Sequence, residues 1–405
     1  MVDQYLSYLD WLDQEKDTIT EQLMEWASIH SGSDHMDGLS LMRSTLIEAF
    51  KPLEGEIEEI DLSPRKIMNK RGHVIQEPLG KAISIVKRPD AKIQILLGGH
   101  MDIAYSKNLT LKKCAVKKKD TLVGRGTVDM KAGLMVLLYA LQSFEKSPFT
   151  DNIGWQVLIT PDEEIGSPGS QTLWNKFAVG KKIALLFEPS YPDGNLVSAR
   201  KGSSNVTINI SGKSAHAGRS FHEGENAILS ASRIALAAES LNDLASELTV
   251  NIGFINGGGP VNIVPDSALL KLNIRCQTPQ EMQLAQTKLK EIVKIENNRN
   301  NLQVTLFQDS LRPPKIFDKR TRTVFESLKQ SAKHLGIHLD WRASGGVCDG
   351  NLLANQGLLT IDTLGAVGGG LHTEEEYVKL QSIIDRSKLT ARFLMQIAAG
   401  EIQIP

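Results

Sequence analysis

Five short segments place imidazoles or carboxylates directly after apolar runs or glycine turns. "LLGGHMD" carries His100 and Asp102, and "GRGTVDMKAG" carries Asp129. "TPDEEIGS" carries Asp162, Glu163 and Glu164, "LLFEPS" carries Glu188, and "GGGLHTEEEY" carries His372. Imidazole nitrogens and carboxylate oxygens without thiolates form the donor set that holds zinc, manganese or cobalt in hydrolytic sites. The run of three acids at 162–164 sharpens this, because adjacent negative charges repel unless something positive lies among them. Each residue also has a plain reading. An acid run can open a helix, Asp129 can cap one, Glu188 can be a solvated strand end, and either histidine can be a loop residue. Four successive candidate strands, read as ending in His100 with Asp102, Asp129, Glu163 with Glu164, and Glu188, are harder to assign to chance. Other chemistries lack their residues: "GRGTVD" has Asp129 where a dinucleotide loop needs its third glycine, and neither GxxxxGK[ST] nor HExxH occurs. "GSPGS" and "GKSAHAG" do not form a nucleophile elbow.

Such residues need rigid elements behind them. Up to about Ser198 the pattern alternates strands ("KIQILLGGH", "IGWQVLIT", "KKIALLFEP") with helix ("DMKAGLMVLLYALQSF"). Strands that are apolar throughout predict a mainly parallel α/β sheet covered on both faces, with ligand residues just past the strand ends. From Ala199 to Leu311 the order reads β-α-β-β-α-β, a ferredoxin-like α+β unit. "RPPK" at Arg312 to Lys315 marks a return to the first style. The predicted organisation is a catalytic domain over 1–198 and 312–405, with 199–311 inserted as a dimerisation or lid domain.

The whole chain has 405 residues, 41% hydrophobic and 23% charged, with a formal net charge of −1. That length predicts more than one domain. The near-neutral charge offers no field for nucleic acid or an anionic membrane, and Lys117–Lys119 reads as an isolated hairpin tip. Cys114, Cys276 and Cys348 form no CxxC pair, so reduced thiols in the cytoplasm fit better than disulfides or thiolate zinc. The acidic, amphipathic start "MVDQYLSYLDWLDQEKDTITEQL" reads as a surface helix rather than an export signal. No stretch is long and apolar enough to span a bilayer.

As an ordered set, "GHMD", "DEEIGS", "FEP", "SAHAG", "NIVP" and "HTEEEYV" resemble the di-zinc metallopeptidases that include glutamate carboxypeptidase, aminoacylases, acetylornithine deacetylase and succinyl-diaminopimelate desuccinylase. The glutamate carboxypeptidase branch is the most similar in flavour, and the resemblance covers almost the whole chain. It implies two zinc ions per chain, replaceable by cobalt or manganese. Asp129 would bridge them, His100 and Glu188 would complete one shell, and Glu164 and His372 the other. It further implies that Asp102 orients His100, that Glu163 is the general base, and that Asp162 is structural. His216 of "SAHAG" would serve the active site of the partner subunit in a homodimer. Arg275, Asn262 and Gly346 would meet substrate, and the Asp129–Met130 peptide would be cis. Cys348 departs from the Thr or Ser common in related sequences, and a buried thiol is its plain reading.

The resulting expectation is a cytoplasmic zinc amidohydrolase acting on an N-acyl or peptidyl amino acid with a free carboxylate, glutamate carboxypeptidase-like. N-acyl-amino-acid deacylation or dipeptide cleavage is the alternative. The rivals from other classes are an inactive binding protein on the same fold and a nicotinamide oxidoreductase, which the missing glycine weakens.

Overall fold

The computed structural model describes residues 4–69, 72–112, 114–118, 120–299 and 302–405. Its central sheet contains β1 (Glu56–Ile60), β2 (Ala82–Lys87), β3 (Ile93–His100), β4 (Ile153–Thr160), β5 (Ile183–Leu186) and β6 (Thr360–Ile361). The spatial order is β1-β2-β4-β3-β5-β6. β4, β3, β5 and β6 run parallel, while β2 is antiparallel to both its neighbours. The unbroken apolar runs follow from burial on both faces. Ile95, Leu97, Val157, Ile159, Ile183 and Leu185 pack under the long helices Lys16–Ser28, Met36–Phe50, Ala132–Glu145, Lys319–His334 and Leu380–Ala398. The alternate residues Leu96, Leu158, Ala184 and Leu186 pack under Gln171–Ala178 and Asp349–Asn355. Truncating a buried leucine such as Leu97 to alanine in a core of this kind costs about 2–5 kcal/mol.

The inserted segment has its own core, drawn from residues 206 to 304. Its four strands are ordered Thr249–Gly257, Ser267–Cys276, Gly202–Ser211, Gln303–Arg312, all antiparallel. Alternation puts Val206, Ile208 and Ile210, with Leu270, Leu272 and Ile274, on the face covered by helices Ala227–Glu239 and Pro279–Asn297. Those helices start where the sequence supplies caps: Asn226 accepts from Leu229 N, and Thr278 with Glu281 forms a capping box ahead of Pro279. This is the β-α-β-β-α-β order expected.

The two crossings between the layers lie side by side. Arg200 N donates to Lys315 O and Lys315 N to Arg200 O, each at 3.0 Å. Their buried side chains converge on Asp362, just past β6, at 2.8 Å from Arg200 Nε and 3.0 Å from Lys315 Nζ. Replacing the buried Asp362 would strand two cations, so this pivot is pinned to the central sheet.

Two expectations need correction. The N-terminal segment is not a single surface helix. Short 3₁₀ turns at Leu6–Tyr8 and Asp10–Glu15 precede the α-helix Lys16–Ser28, and Tyr5, Leu9, Leu12, Ile19, Leu23 and Trp26 are buried. Residues 1–3 lie outside the described residues. Strands Ala115–Lys118 and Thr121–Val123 form the hairpin read at the lysine run, although Lys119 is not among the described residues. The second correction concerns Asp129. It does not end a strand of the central sheet; it sits in a wide turn, Thr127–Lys131, leading into Ala132–Glu145. The thiols Cys114, Cys276 and Cys348 are free and buried. Among the described residues no helix is long and apolar enough to cross a membrane.

Candidate metal centre and active site

Three parallel strands deliver side chains to one edge of the sheet. β3 ends on His100, β4 leads through Pro161 to the turn carrying Glu163 and Glu164, and β5 is followed at once by Phe187 and Glu188. The Met130 side chain packs on Gly99, where a Cβ would lie 2.1 Å from Met130 Cε. That contact seats the Asp129 turn directly over β3. The Asp129–Met130 peptide is cis, as expected. His372 joins them on a left-handed backbone with φ +60°, a region uncommon for non-glycine residues in general but enriched in histidine.

Asp129 faces two ways. Its Oδ1 lies 3.3 Å from His100 Nε2, and its Oδ2 lies 3.4 Å from His372 Nε2. Glu188 approaches His100 Nε2 at 3.7 Å, and Glu164 approaches His372 Nε2 at 3.3 Å. The result is two triads sharing one carboxylate, His100–Asp129–Glu188 and Asp129–Glu164–His372, each with ligand atoms within 4.8 Å of one another. A divalent cation fits each triad because the donors are imidazole and carboxylate only, and in the second triad Glu164 Oε1 is also buried without a hydrogen-bond partner.

Asp102 organises the layer beneath. Its carbonyl oxygen lies 3.0 Å from His100 Nδ1 and its Oδ1 3.3 Å from the same nitrogen. The same carboxylate accepts from Glu163 N at 3.2 Å, Glu164 N at 3.1 Å and the Ser33 hydroxyl at 2.7 Å. One buried acid thereby fixes the His100 imidazole and the turn bearing two more acids. Asp162 turns away and accepts from Gly169 N and Ser170 N, a structural placement.

The charges are crowded. Burial pushes Glu164 up to about 7, with Asp129 adding repulsion and His372 opposing it. Burial likewise lifts Glu163 well above the carboxylate range, although Arg312 pulls it back. Hydrogen bonding of its ring nitrogen to the accepting carboxylates of Asp129 and Glu164 raises His372 to about 10. Burial would lower His100, but the attraction of Glu188 and hydrogen bonding to Asp102 and Asp129 overcome it and raise its pKa well above 6.5.

These groups open onto a cavity of about 660 Å³ between the two layers. Asp129, Glu163, Glu164, Glu188, His372, Arg275, Gly346 and Cys348 all line it, with His100 and Asp102 buried behind. Arg275 reaches Asn273 Oδ1 at 2.9 Å and Gly345 O at 3.2 Å, both neutral partners. Cys348 is both pocket wall and cap: its sulfur accepts from Gly350 N at the start of Asp349–Asn355, and burial pushes the thiol well above its usual range. His216 and Asn262 are not brought to this cavity. Both are exposed. They share a corner of the inserted layer where Ala215–His216 pairs with Ile263–Val264 and Ala217 N donates to Asn262 O at 2.9 Å.

Two residues assigned no site role from sequence hold the site. Glu376 accepts from the backbone N–H groups of Gly126, Val128 and Asp129 at 2.8, 3.0 and 3.1 Å, fixing the wide turn. Arg312 grips Glu163. A signal for Glu376 did exist: "EEEY" repeats the crowded acids of "DEE", and the same repulsion argument applied to it.

The profile of Peptidase family M20/M25/M40 matches residues 96–396. Carboxypeptidase G2 from Pseudomonas sp. (strain RS-16) is 28% identical over 392 residues, covering 96% of this chain and 91% of that protein. Succinyl-diaminopimelate desuccinylase from Legionella pneumophila is 27% identical over 310 residues, covering 71% and 80%. Among solved structures, the M20 family metallo-carboxypeptidase Sso-CP2 from Sulfolobus solfataricus superposes with a TM-score of 0.72 at 18% identity, covering 94% of this chain and 99% of that one. Aminopeptidase PepT from Bacillus cereus gives a TM-score of 0.70 at 23% identity, covering 95% and 99%. The match spans most of the chain and contains both triads: this protein belongs to the M20/M25/M40 peptidase family.

Proposed function

We propose that this metallohydrolase carries two zinc ions per chain, with cobalt or manganese able to substitute, and cleaves an amide bond to an amino acid with a free carboxylate. The observation that carries the reading is the shared position of Asp129 between two triads, with Glu163 beside the ligand Glu164. His100, Asp129 and Glu188 would hold one ion, and Asp129, Glu164 and His372 the other. Bound there, divalent cations supply Lewis acidity toward an amide carbonyl and water. The remaining work falls to the chain itself. Glu163, a buried carboxylate at the cavity wall, takes a proton from the attacking water and returns it to the leaving nitrogen. Asp102 keeps the Nδ1 edge of His100 fixed, so that Nε2 faces Asp129 and Glu188. Arg275 presents a planar fork to the substrate carboxylate, and Gly346 leaves room beside it.

A carboxypeptidase reading, with glutamate as the leaving residue, is supported by the likeness to carboxypeptidase G2. Likeness to the desuccinylase keeps N-acyl-amino-acid deacylation or dipeptide cleavage as the alternative on the same residues. The oxyanion donor is His216 of the partner subunit, with Asn262 at its side, in a homodimer formed through the inserted layer. The edge strand Thr249–Gly257 supports that assembly: Ile255 is exposed there, and Val261 and Ile263 are exposed shortly after it. Free buried thiols fit a reducing cytoplasm. The test is a hydrolysis screen of N-acyl and peptidyl amino acids with zinc or cobalt added, each paired with its C-terminal amide. Turnover confined to free carboxylates supports the reading, and equal turnover of the amides refutes it.

A further inference from the structure

We propose that Arg312 is the positioning residue of the base, fixing the Glu163 carboxylate and tying it to the pivot of the inserted layer. This rests on the reading of Glu163 as the base. Arg312 ends the strand Gln303–Arg312 and is buried although it borders the cavity. Its Nη1 lies 2.8 Å from Glu163 Oε1. Its Nη2 donates to the Glu163 carbonyl at 3.0 Å, to Ser167 Oγ at 2.6 Å and to Asp349 Oδ1 at 3.1 Å. One guanidinium therefore holds both the side chain and the backbone of the same residue. That sets the direction of the carboxylate as well as its place, which a rigid fork can do and a lysine ammonium cannot.

Asp349 orients the fork in turn. Its Oδ1 also accepts from Ser167 Oγ, and its Oδ2 accepts from the Trp174 indole at 2.6 Å. The row Asp349–Arg312–Glu163 is thus a buried carboxylate–guanidinium–carboxylate array whose far end is pinned to the catalytic core. Capture of a substrate carboxylate suits Arg312 poorly, because both its Nη atoms already meet carboxylates. Arg275, whose partners are neutral, suits that task. Three residues beyond Arg312, Lys315 pairs with Arg200 at the pivot. A swing of the inserted layer about that pairing would move Arg312 against Glu163, so the base is correctly aimed only at lid orientations that preserve the contact.

The test is a double-mutant cycle on the full-length, zinc-loaded protein. Arg312→Gln should lower kcat about 10²-fold, the cost of a small misplacement of a reacting group, with bound metal and KM little changed. Arg312→Lys, which keeps the charge and loses the fork, should fall between wild type and Arg312→Gln. Adding Arg312→Gln to Glu163→Gln should cause no further loss, since the two act as one unit. Fully additive losses would overturn the proposal. So would a KM effect with kcat intact, which marks a substrate contact, or losses in both Arg312 variants that track lost metal or lost folded protein. Near-wild-type turnover in Glu163→Gln overturns the base reading itself, and the positioning role with it.

Discussion

Glu376 accepts a hydrogen bond from the backbone N–H of Asp129 at 3.1 Å, across 247 residues of sequence. The side chain of Asp129 is shared by both triads, while its main chain is held by an acid that touches neither. With Gly126 and Val128 donating to the same carboxylate, Glu376 plays the part of a missing strand for the turn. Glutamine at 376 would turn one amide group toward backbone donors that need an acceptor. Glu376→Gln should therefore weaken metal binding by about 10–100-fold, the usual effect of removing a group that orients ligands. Competition with a chromogenic chelator measures this, and unchanged affinity would show that the turn stands without Glu376.

Stoichiometry follows from the sharing. At saturation the protein should bind about two divalent ions per chain. His372→Ala removes a ligand from one triad and should leave one tight ion. Asp129→Asn touches both and should lower occupancy of both. Mass spectrometry of desalted protein gives the counts, and retention of no metal by zinc-loaded wild type would end the metal reading.

The metal-free protein should lose stability as pH rises from about 4.5 to 7. Burial raises Asp162 to about 6 and Glu164 and Glu376 to about 7, whereas the unfolded chain titrates near the ordinary values of about 4. Within that window the folded form binds more protons than the unfolded form, so stability falls with pH by about 1.4 kcal/mol per unit for each extra proton held. Acids held below their ordinary range, such as Glu145 with Arg88 against it, act below this window. Zinc keeps its ligands deprotonated, so loading should flatten the slope. Denaturant melts at pH 5 and 7, with and without zinc, read this out. A metal-free protein that gains stability across the window would contradict it.

Local pattern and long-range packing divided what could be read in advance. His100 and Glu188 were legible because each follows a strand whose apolar run announces burial on both faces, and the edge of a parallel sheet is where ligands gather. The inserted layer was legible because its period-two strands and capped helices are local signals. Asp129 was read as a candidate ligand but misplaced as a strand end. A wide turn carries no periodicity, and what holds it, Glu376, lies far along the chain. Arg312 was passed over for the same reason: its contact with Glu163 spans 149 residues, and an arginine before two prolines reads simply as a boundary. The N-terminal segment misled because its apolar residues suit a helix lying on water as well as one packed on a core, and only the tertiary contacts decide.

The position of His216 leads to the last prediction. It is exposed and outside the cavity lining, beside Asn262, at a corner of the layer whose edge strand is open. A residue that donates to the oxyanion has to reach the metal centre, and symmetric pairing through the inserted layer would carry it to a second chain. Two inactive variants, Glu163→Gln and His216→Ala, should then complement one another when their subunits exchange. In each mixed dimer one site would receive both defects and the other neither. Activity should recover toward about half per mixed dimer. If exchange is demonstrated by mixed-mass dimers and no activity returns, His216 serves its own chain. A fully active monomer by light scattering would remove the partner from the mechanism altogether.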